Sequence, residues 1–552
     1  MIKADTIFTN GTIYSLNSNH TIYGSIAVEN GIITGLWEQS TPPKDEVEYN
    51  SKTTIIDLKE STMLPGFIDT HNHILMYALT KEQVDCSTPP SSTITEVLEL
   101  VSHKTSQVGQ GEWIEGFGYD DTMISEKRHL TREELDHAAP HHPVYIRHIS
   151  GHLAYVNSKA IELAGLDDSI KDPQGGHYGR NSSGQLDGVL YEAGAMQPFL
   201  DSLPKKSTEE LVQILKRAAD EYLTKGITTN SDAAIFNMEE LEVHLKAARD
   251  RANPIKTRLM IMHDLFRKGA PFESYTPEQL NQYLLDESNG LVSLDSVKMF
   301  QDGSIQGMTG ALREPYYNDP SIRGDFIHEE TDFQKEVMEY HKRGFRIAVH
   351  GNGDRAIGSI LDAFEKALDA FPRENHQHRI EHVQTATPED LNRMKKLGVA
   401  GSFFINHVYY WGDRHRDIFL GPERAKRISP LNEASNEGLL YTLHSDCPIT
   451  PISPMFSIWT AVNRFTRNGH VLGKDQIIDV DTAIRTMTIE GAKLNFEEDI
   501  TGSIEIGKKA DLITLSADPY QINSKDLRDI DVTSTIIDGK VVYDQTGQLA
   551  TL

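Results

Sequence analysis

Only two cysteines, Cys86 and Cys447, occur in 552 residues. No disulfide framework can therefore hold the fold, and export has no support from that side. Positive charge is also short. Lys and Arg number 54 against 81 Asp and Glu, a net charge of −27. Such a surface repels phosphate backbones, which argues against a nucleic-acid partner. No apolar run approaches the roughly 20 residues needed to cross a bilayer. The opening Met1-Ile2-Lys3-Ala4-Asp5-Thr6 has neither the charged n-region nor the apolar h-region of a secretory signal. A cytoplasmic protein with no membrane partner is the expectation. Internal repeats and low-complexity tracts are missing as well.

What remains is a globular composition, 38% hydrophobic and 24% charged. The chain is too long for one ordinary core, but one large barrel with a satellite domain fits. Residues 1–62 read as short strands and tight turns. Asn10-Gly11 and Asn30-Gly31 are hairpin signals between β-branched runs. Residues 486–552 have the same texture, with a hairpin expected at Asp538-Gly539. Each segment is too small to bury a core alone, so the two should form one composite β-sandwich. Exposed edges on that sandwich suggest a homodimer.

Residues 63–485 alternate strand runs with helical stretches, the mark of a parallel sheet with helical crossovers. Eight strands can be placed: Gly66–Asp69, Ile227–Ser231, Arg258–His263, Ser296–Phe300, Arg346–His350, Arg379–His382, Val399–Phe404 and Leu440–Asp446. Eight is the count of an α/β (β/α)8 TIM barrel. About 150 residues separate the first two strands, far more than a crossover needs. A subdomain inserted at about 80–215 is expected, rising over the barrel mouth as a lid.

The chain is best organised around Leu64-Pro65-Gly66-Phe67-Ile68-Asp69-Thr70-His71-Asn72-His73. A Pro-Gly turn leads into an apolar run ending in two histidines. Residues i and i+2 of a strand share a face, so His71 and His73 project together with Asn72 turned away. Two imidazoles on one face can grip a divalent cation such as zinc. In TIM barrels the chemistry lies at the C-terminal strand ends, and further strand ends carry Lys298, His350, His382 and Asp446. Singly, each has a plain alternative. The histidines could be satisfied core residues, Lys298 could pair with Asp302, and Asp446 could cap a helix. Jointly, four histidines and an acid at strand termini point to a metal site.

The sequence resembles the amidohydrolase superfamily, in its YtcJ-like branch, amidohydrolase family 3. The resemblance is carried by the Pro65–His73 run, Val297-Lys298-Met299-Phe300-Gln301-Asp302-Gly303-Ser304 and His350-Gly351-Asn352-Gly353-Asp354-Arg355-Ala356. Ile380-Glu381-His382, His444-Ser445-Asp446-Cys447-Pro448, Ser150-Gly151-His152 and Gly507-Lys508-Lys509-Ala510-Asp511-Leu512 match too. It implies a two-metal site, usually zinc. His71, His73 and Asp446 would hold the buried ion, and His350 and His382 the outer one. Lys298 would bridge them as an N-carboxylated lysine. Asp446 would act as general base and then general acid. His152 and His407 are the expected oxyanion donors.

Ser402-Phe403-Phe404-Ile405-Asn406-His407-Val408-Tyr409-Tyr410-Trp411 should form a loop after the seventh strand. Trp411, with Phe117, Tyr119, Phe300 and Trp113, would give the pocket aromatic walls. Such walls around a polar metal centre suit a small amide with an apolar substituent. N-substituted formamide deformylases of this branch are similar. A cyclic amide, an imide or a deaminated heterocycle is a second reading, and a non-catalytic metal- or ligand-binding barrel a third.

Overall fold

The computed structural model describes residues 1–49, 53–545 and 547. Asn30-Gly31 turns as its sequence requires. Both residues have positive φ, 52° and 78°, the backbone a tight hairpin needs. They join Ser25–Glu29 to Ile32–Trp37 in antiparallel register. A Cβ on Gly31 would meet the Asp538 carbonyl oxygen at 2.8 Å. Asp538-Gly539 joins Val532–Ile537 to Lys540–Asp544 in the same way.

Asn10-Gly11 behaves differently from expectation. Thr6–Thr9 pairs with Ser25–Glu29 and Thr54–Asp57. Thr12–Tyr14 pairs instead with Ile22–Tyr23 and Thr62–Pro65, in a second sheet. Only Asn10 of the two has a positive φ, so the chain crosses between sheets there and does not double back. The second sheet takes three strands from each end of the chain: Lys540–Asp544, Val532–Ile537, Leu512–Leu515, Thr62–Pro65, Thr12–Tyr14 and Ile22–Tyr23, in that order. Phe8, Ile26, Met63, Leu512 and Ile536 pack into one core. The composite sheet is real.

Pro65-Gly66 is a join and not a turn. Thr62–Pro65 runs antiparallel to Leu512–Leu515, the Gly66 amide donates to the Asp511 carbonyl at 2.9 Å, and the first barrel strand starts at Phe67. A Cβ at Gly66 would lie 2.3 Å from the Thr228 side chain. Glycine is what lets the two strands approach.

The barrel strands are β1 (Phe67–Asn72), β2 (Ile227–Ile235), β3 (Lys256–Met262), β4 (Val292–Phe300), β5 (Ile347–Gly351), β6 (Arg379–His382), β7 (Ala400–Phe403) and β8 (Tyr441–Leu443). Neighbours pair in parallel in that order. The ring is nearly closed. Between β8 and β1 two bonds bridge the gap: the Asp446 amide donates to His71 O at 3.1 Å, and the His73 amide to Cys447 O at 2.8 Å. Crossover helices include Glu330–Lys342, Asp354–Ala370 and Pro388–Leu397, the last opened by a Thr387/Asp390 capping box and closed by Gly398 at φ 71°. The stretch after β7 holds a helix, His407–Arg414, where a loop was expected.

Residues Leu75–Ile214 form a compact unit distinct from the rest of the chain. It has its own six-stranded mixed sheet and a core containing Val97, Ile114, Tyr119, Ile146 and Tyr155. Among the described residues, no helix is long and apolar enough to cross a membrane.

Candidate metal centre

The end of β1 delivers two imidazoles to one carboxylate. Asp446 Oδ1 lies 3.3 Å from His71 Nε2 and 3.1 Å from His73 Nε2. Asn72 turns away and accepts from the Asn230 amide at 3.2 Å. His350 and His382, from adjacent strands, form a second pair, with Nδ1 of the first 3.0 Å from Nε2 of the second. The His71 and His382 rings stand 4.9 Å apart, centre to centre, so the two pairs are neighbours.

The other ring nitrogens decide what these atoms can do. A neutral imidazole carries one N–H and one lone pair. The Nδ1–H of His71 donates to Glu381 at 2.5 Å. His350 Nε2 lies 3.0 Å from both the Gly303 carbonyl oxygen and the Asn352 side-chain nitrogen. His382 Nδ1 meets His444 Nε2 at 3.2 Å, and His444 Nδ1 meets Ser402 Oγ at 2.7 Å. His350 Nδ1 and His382 Nε2 face one another at 3.0 Å, and each can offer a lone pair to a cation in the tautomer that leaves it deprotonated.

Zinc binds imidazole nitrogen at about 2.0–2.1 Å in a tetrahedral shell, so two ligands of one ion stand about 3.3 Å apart. The spacings of 3.0, 3.1 and 3.3 Å fall within a few tenths of that. The donor set fits divalent metal.

Lys298, on β4, is fully buried. Its Nζ has no hydrogen-bond partner and lies 4.9 Å from the centre of the Phe300 ring. Burial lowers its pKa to about 8, against the pull of Glu381 and Asp446. It does not pair with Asp302, whose carboxylate accepts the amides of Ala311, Asn352 and Gly353 at 2.9, 3.0 and 2.7 Å. Asp446 caps no helix, since the next one, Pro454–Asn463, has Ser453 at its start. Burial acts to raise the Asp446 carboxyl, but bonds from His71 and His73 outweigh it and hold it well below the usual range.

His407 opens its helix and is buried beside Phe404 and Trp411, with ring centres 4.1 and 5.6 Å away. Burial lowers its pKa to about 3, opposed by Asp446. Phe404 in turn lies 5.9 Å from His382. Phe117, Tyr119 and His152 belong to the Leu75–Ile214 unit. Phe117 is buried on its strand Ile114–Tyr119. Tyr119 is taken up by that unit's core, its ring edge-on to Tyr155 and its hydroxyl donating to Arg128 O at 2.7 Å. His152 Nδ1 pairs with Glu192 at 2.9 Å. The same unit gathers Asp120, Asp121 and His148. There the Ser150 amide donates to His148 Nδ1, so Nε2–H is spent on Asp121 at 3.1 Å. That cluster is closed on itself.

Glu381, Arg379 and His444 were not assigned roles from sequence. Strand alternation turns Glu381 away from the face that carries His382. The rule fails because His382 has left-handed backbone, φ 71°, so both side chains meet the centre. His444, two residues before Asp446, could have been found by the same i, i+2 argument that paired His71 with His73.

A model of the amidohydrolase family matches residues 54–543. YtcJ of Bacillus subtilis (strain 168) is 28% identical over 555 residues, 98% of this chain and 99% of its own. An N-substituted formamide deformylase of Arthrobacter pascens is 30% identical over 506 residues, 89% of this chain and 90% of its own. Among solved structures, an uncharacterized metal-dependent hydrolase from Pyrococcus horikoshii ot3 has a TM-score of 0.74 at 25% identity, covering 94% of this chain and 99% of that one.

Proposed function

The chain belongs to the amidohydrolase family, and from that premise we propose that it cleaves the carbon–nitrogen bond of a small non-peptide amide, an N-substituted formamide by class. The observation that carries this reading is the convergence of His71, His73 and Asp446 at 3.1 and 3.3 Å, with the His350 and His382 nitrogens 3.0 Å apart beside them. In the proposed form, His71, His73 and Asp446 hold one zinc and His350 and His382 another. Lys298, as a carbamate, would supply anionic oxygens to both. Its neutral amine attacks carbon dioxide, an N–C bond forms and a proton leaves, and a pKa of about 8 keeps a share of the amine neutral for that step. An ammonium cannot ligate a cation, whereas a carbamate offers two anionic oxygens.

The bound ions supply Lewis acidity and lower the pKa of water in the site. Asp446, held ionised, accepts a proton from the attacking water and passes it to the departing nitrogen. His407, held neutral by burial, offers a donor to the developing oxyanion. Phe404 and Trp411 line up beside it as an apolar wall, which supports a substrate with an apolar substituent. The likeness to an N-substituted formamide deformylase over 89% of the chain supports the formyl group.

The test sets N-benzylformamide beside a hydantoin and an aminopyrimidine, with enzyme supplied with zinc and bicarbonate. Release of formate and benzylamine from the first alone is expected. Turnover of the hydantoin or the aminopyrimidine alone would overturn the substrate class. No turnover of any after metal replenishment would favour a non-catalytic binding barrel.

A further inference from the structure

Three histidines of the centre have a nitrogen engaged from behind, each by a different kind of partner. A backbone carbonyl holds His350, a neutral imidazole faces His382, and a carboxylate holds His71. Glu381 has no freedom to leave. Its Oε2 accepts from His71 Nδ1 at 2.5 Å and its Oε1 faces Arg379 Nε at 2.5 Å, with both side chains fully buried. Arg379 is itself tied down. It donates to Thr70 O at 2.9 Å and lies 3.5 Å from Asp295, which accepts from Ser231 Oγ at 3.3 Å. Thr70 directly precedes His71 on β1. The guanidinium therefore braces both the carboxylate behind His71 and the backbone that carries it.

We propose that Glu381, braced by Arg379, is a positioning residue. It holds His71 with Nε2 facing forward and makes the His71–His73–Asp446 position the tighter of two metal positions. A charged acceptor behind an imidazole fixes its tautomer and raises its basicity as a ligand, and losing such a partner commonly costs 10–100-fold in metal affinity. His382 gains orientation from His444 but no added charge. The proposal rests on the two-ion reading above. Its rival is that Glu381 serves only to neutralise the buried Arg379.

The experiment is a zinc titration of metal-free protein against a chromophoric chelator. It compares wild type, Glu381→Gln and Glu381→Asp, with thermal unfolding of each metal-free protein alongside. Wild type should take up two zinc ions of unequal affinity. Glu381→Gln should weaken the tighter step by about 10–100-fold and leave the weaker step within a few-fold. Glu381→Asp keeps the charge beside Arg379, and so the fold, but is one methylene shorter. It should fall between the other two. Folded Glu381→Gln with both affinities unchanged would overturn the proposal, and so would unchanged affinities in Glu381→Asp should the Gln variant not fold. A lower unfolding midpoint with unchanged zinc binding is the result the purely structural rival predicts. Wild type binding no zinc would instead overturn the two-ion reading, an outcome visible before any substitution is compared.

Discussion

Two of the six converging residues sit on left-handed backbone, His382 at φ 71° and Asp446 at φ 54°. Non-glycine residues hold that conformation at a cost of order 1–3 kcal/mol each. Here it turns both side chains into the centre, His382 from the last residue of β6 and Asp446 from the stretch just after β8. For Asp446 the proposed proton-transfer role can be separated from the scaffold. Asp446→Asn keeps size and shape, so kcat should fall by about 10²–10⁴-fold while zinc content, read by elemental analysis, stays largely intact. Near-native kcat would remove Asp446 from the acid–base step. Lys298→Ala should lower bound metal, and added short carboxylates should restore part of it. Unchanged metal content would remove Lys298 from the centre. At this scale the side chains that converge were legible in the sequence and the groups behind them were not. His71 and His73 obey strand alternation, so a pattern rule finds them. Glu381 was missed because its neighbour His382 departs from strand alternation, and Arg379, two residues before Glu381 on β6, acts at the site through Glu381 and the Thr70 carbonyl.

Strands and helices of the barrel were legible because each carries its own signal, an apolar run or a capped amphipathic stretch. Pairings across the sandwich were not. Asn10-Gly11 resembles a hairpin locally, yet Thr12–Tyr14 finds its partners around positions 22 and 62. Choice of partner is a non-local matter that turn chemistry alone does not settle. A second feature invisible in sequence joins helix Glu330–Lys342 to β5 and β6. His341 Nδ1 meets His378 Nε2 at 2.8 Å, and His341 Nε2 donates to Phe371 O at 2.7 Å. His378 Nδ1 accepts the Ile347 amide at 3.1 Å, and His376 Nε2 donates to Leu397 O at 2.8 Å.

All three rings are held neutral, and burial lowers the pKa of each, that of His378 most. An unfolded chain protonates such histidines near pH 6.5. A folded pKa below the unfolded one gives stability that is present above about pH 6.5 and lost as pH falls. Asp69, raised to about 6 by burial, acts in the opposite sense, as do His71, Glu240 and Asp354, while His328 and the buried His407, His415 and His444 are lowered and add to the three. The urea midpoint should therefore be lower at pH 5.5 than at pH 7.5. An equal or higher midpoint at pH 5.5 would contradict the neutral assignment.

At the scale of the whole molecule, both ends of the chain bear on β1. Thr62–Pro65 is sandwiched between strands from the two termini, and it continues through Gly66 into the strand that presents His71 and His73. Asp511 adds a second tie, since its carboxylate pairs with Lys256 at the start of β3 at 2.5 Å and accepts the Asp538 amide at 3.0 Å. The composite sheet could be anticipated because neither terminal segment can bury a core alone.

In the proposed centre, His71, His73, Lys298, His350, His382 and Asp446 surround two cations. Anomalous scattering at the zinc edge, from crystals grown with zinc and bicarbonate, tests it most directly. Two peaks are predicted, one among His71, His73 and Asp446 and one between His350 and His382, with continuous density joining both to Lys298. An absence of peaks there, or zinc bound only elsewhere, would contradict it.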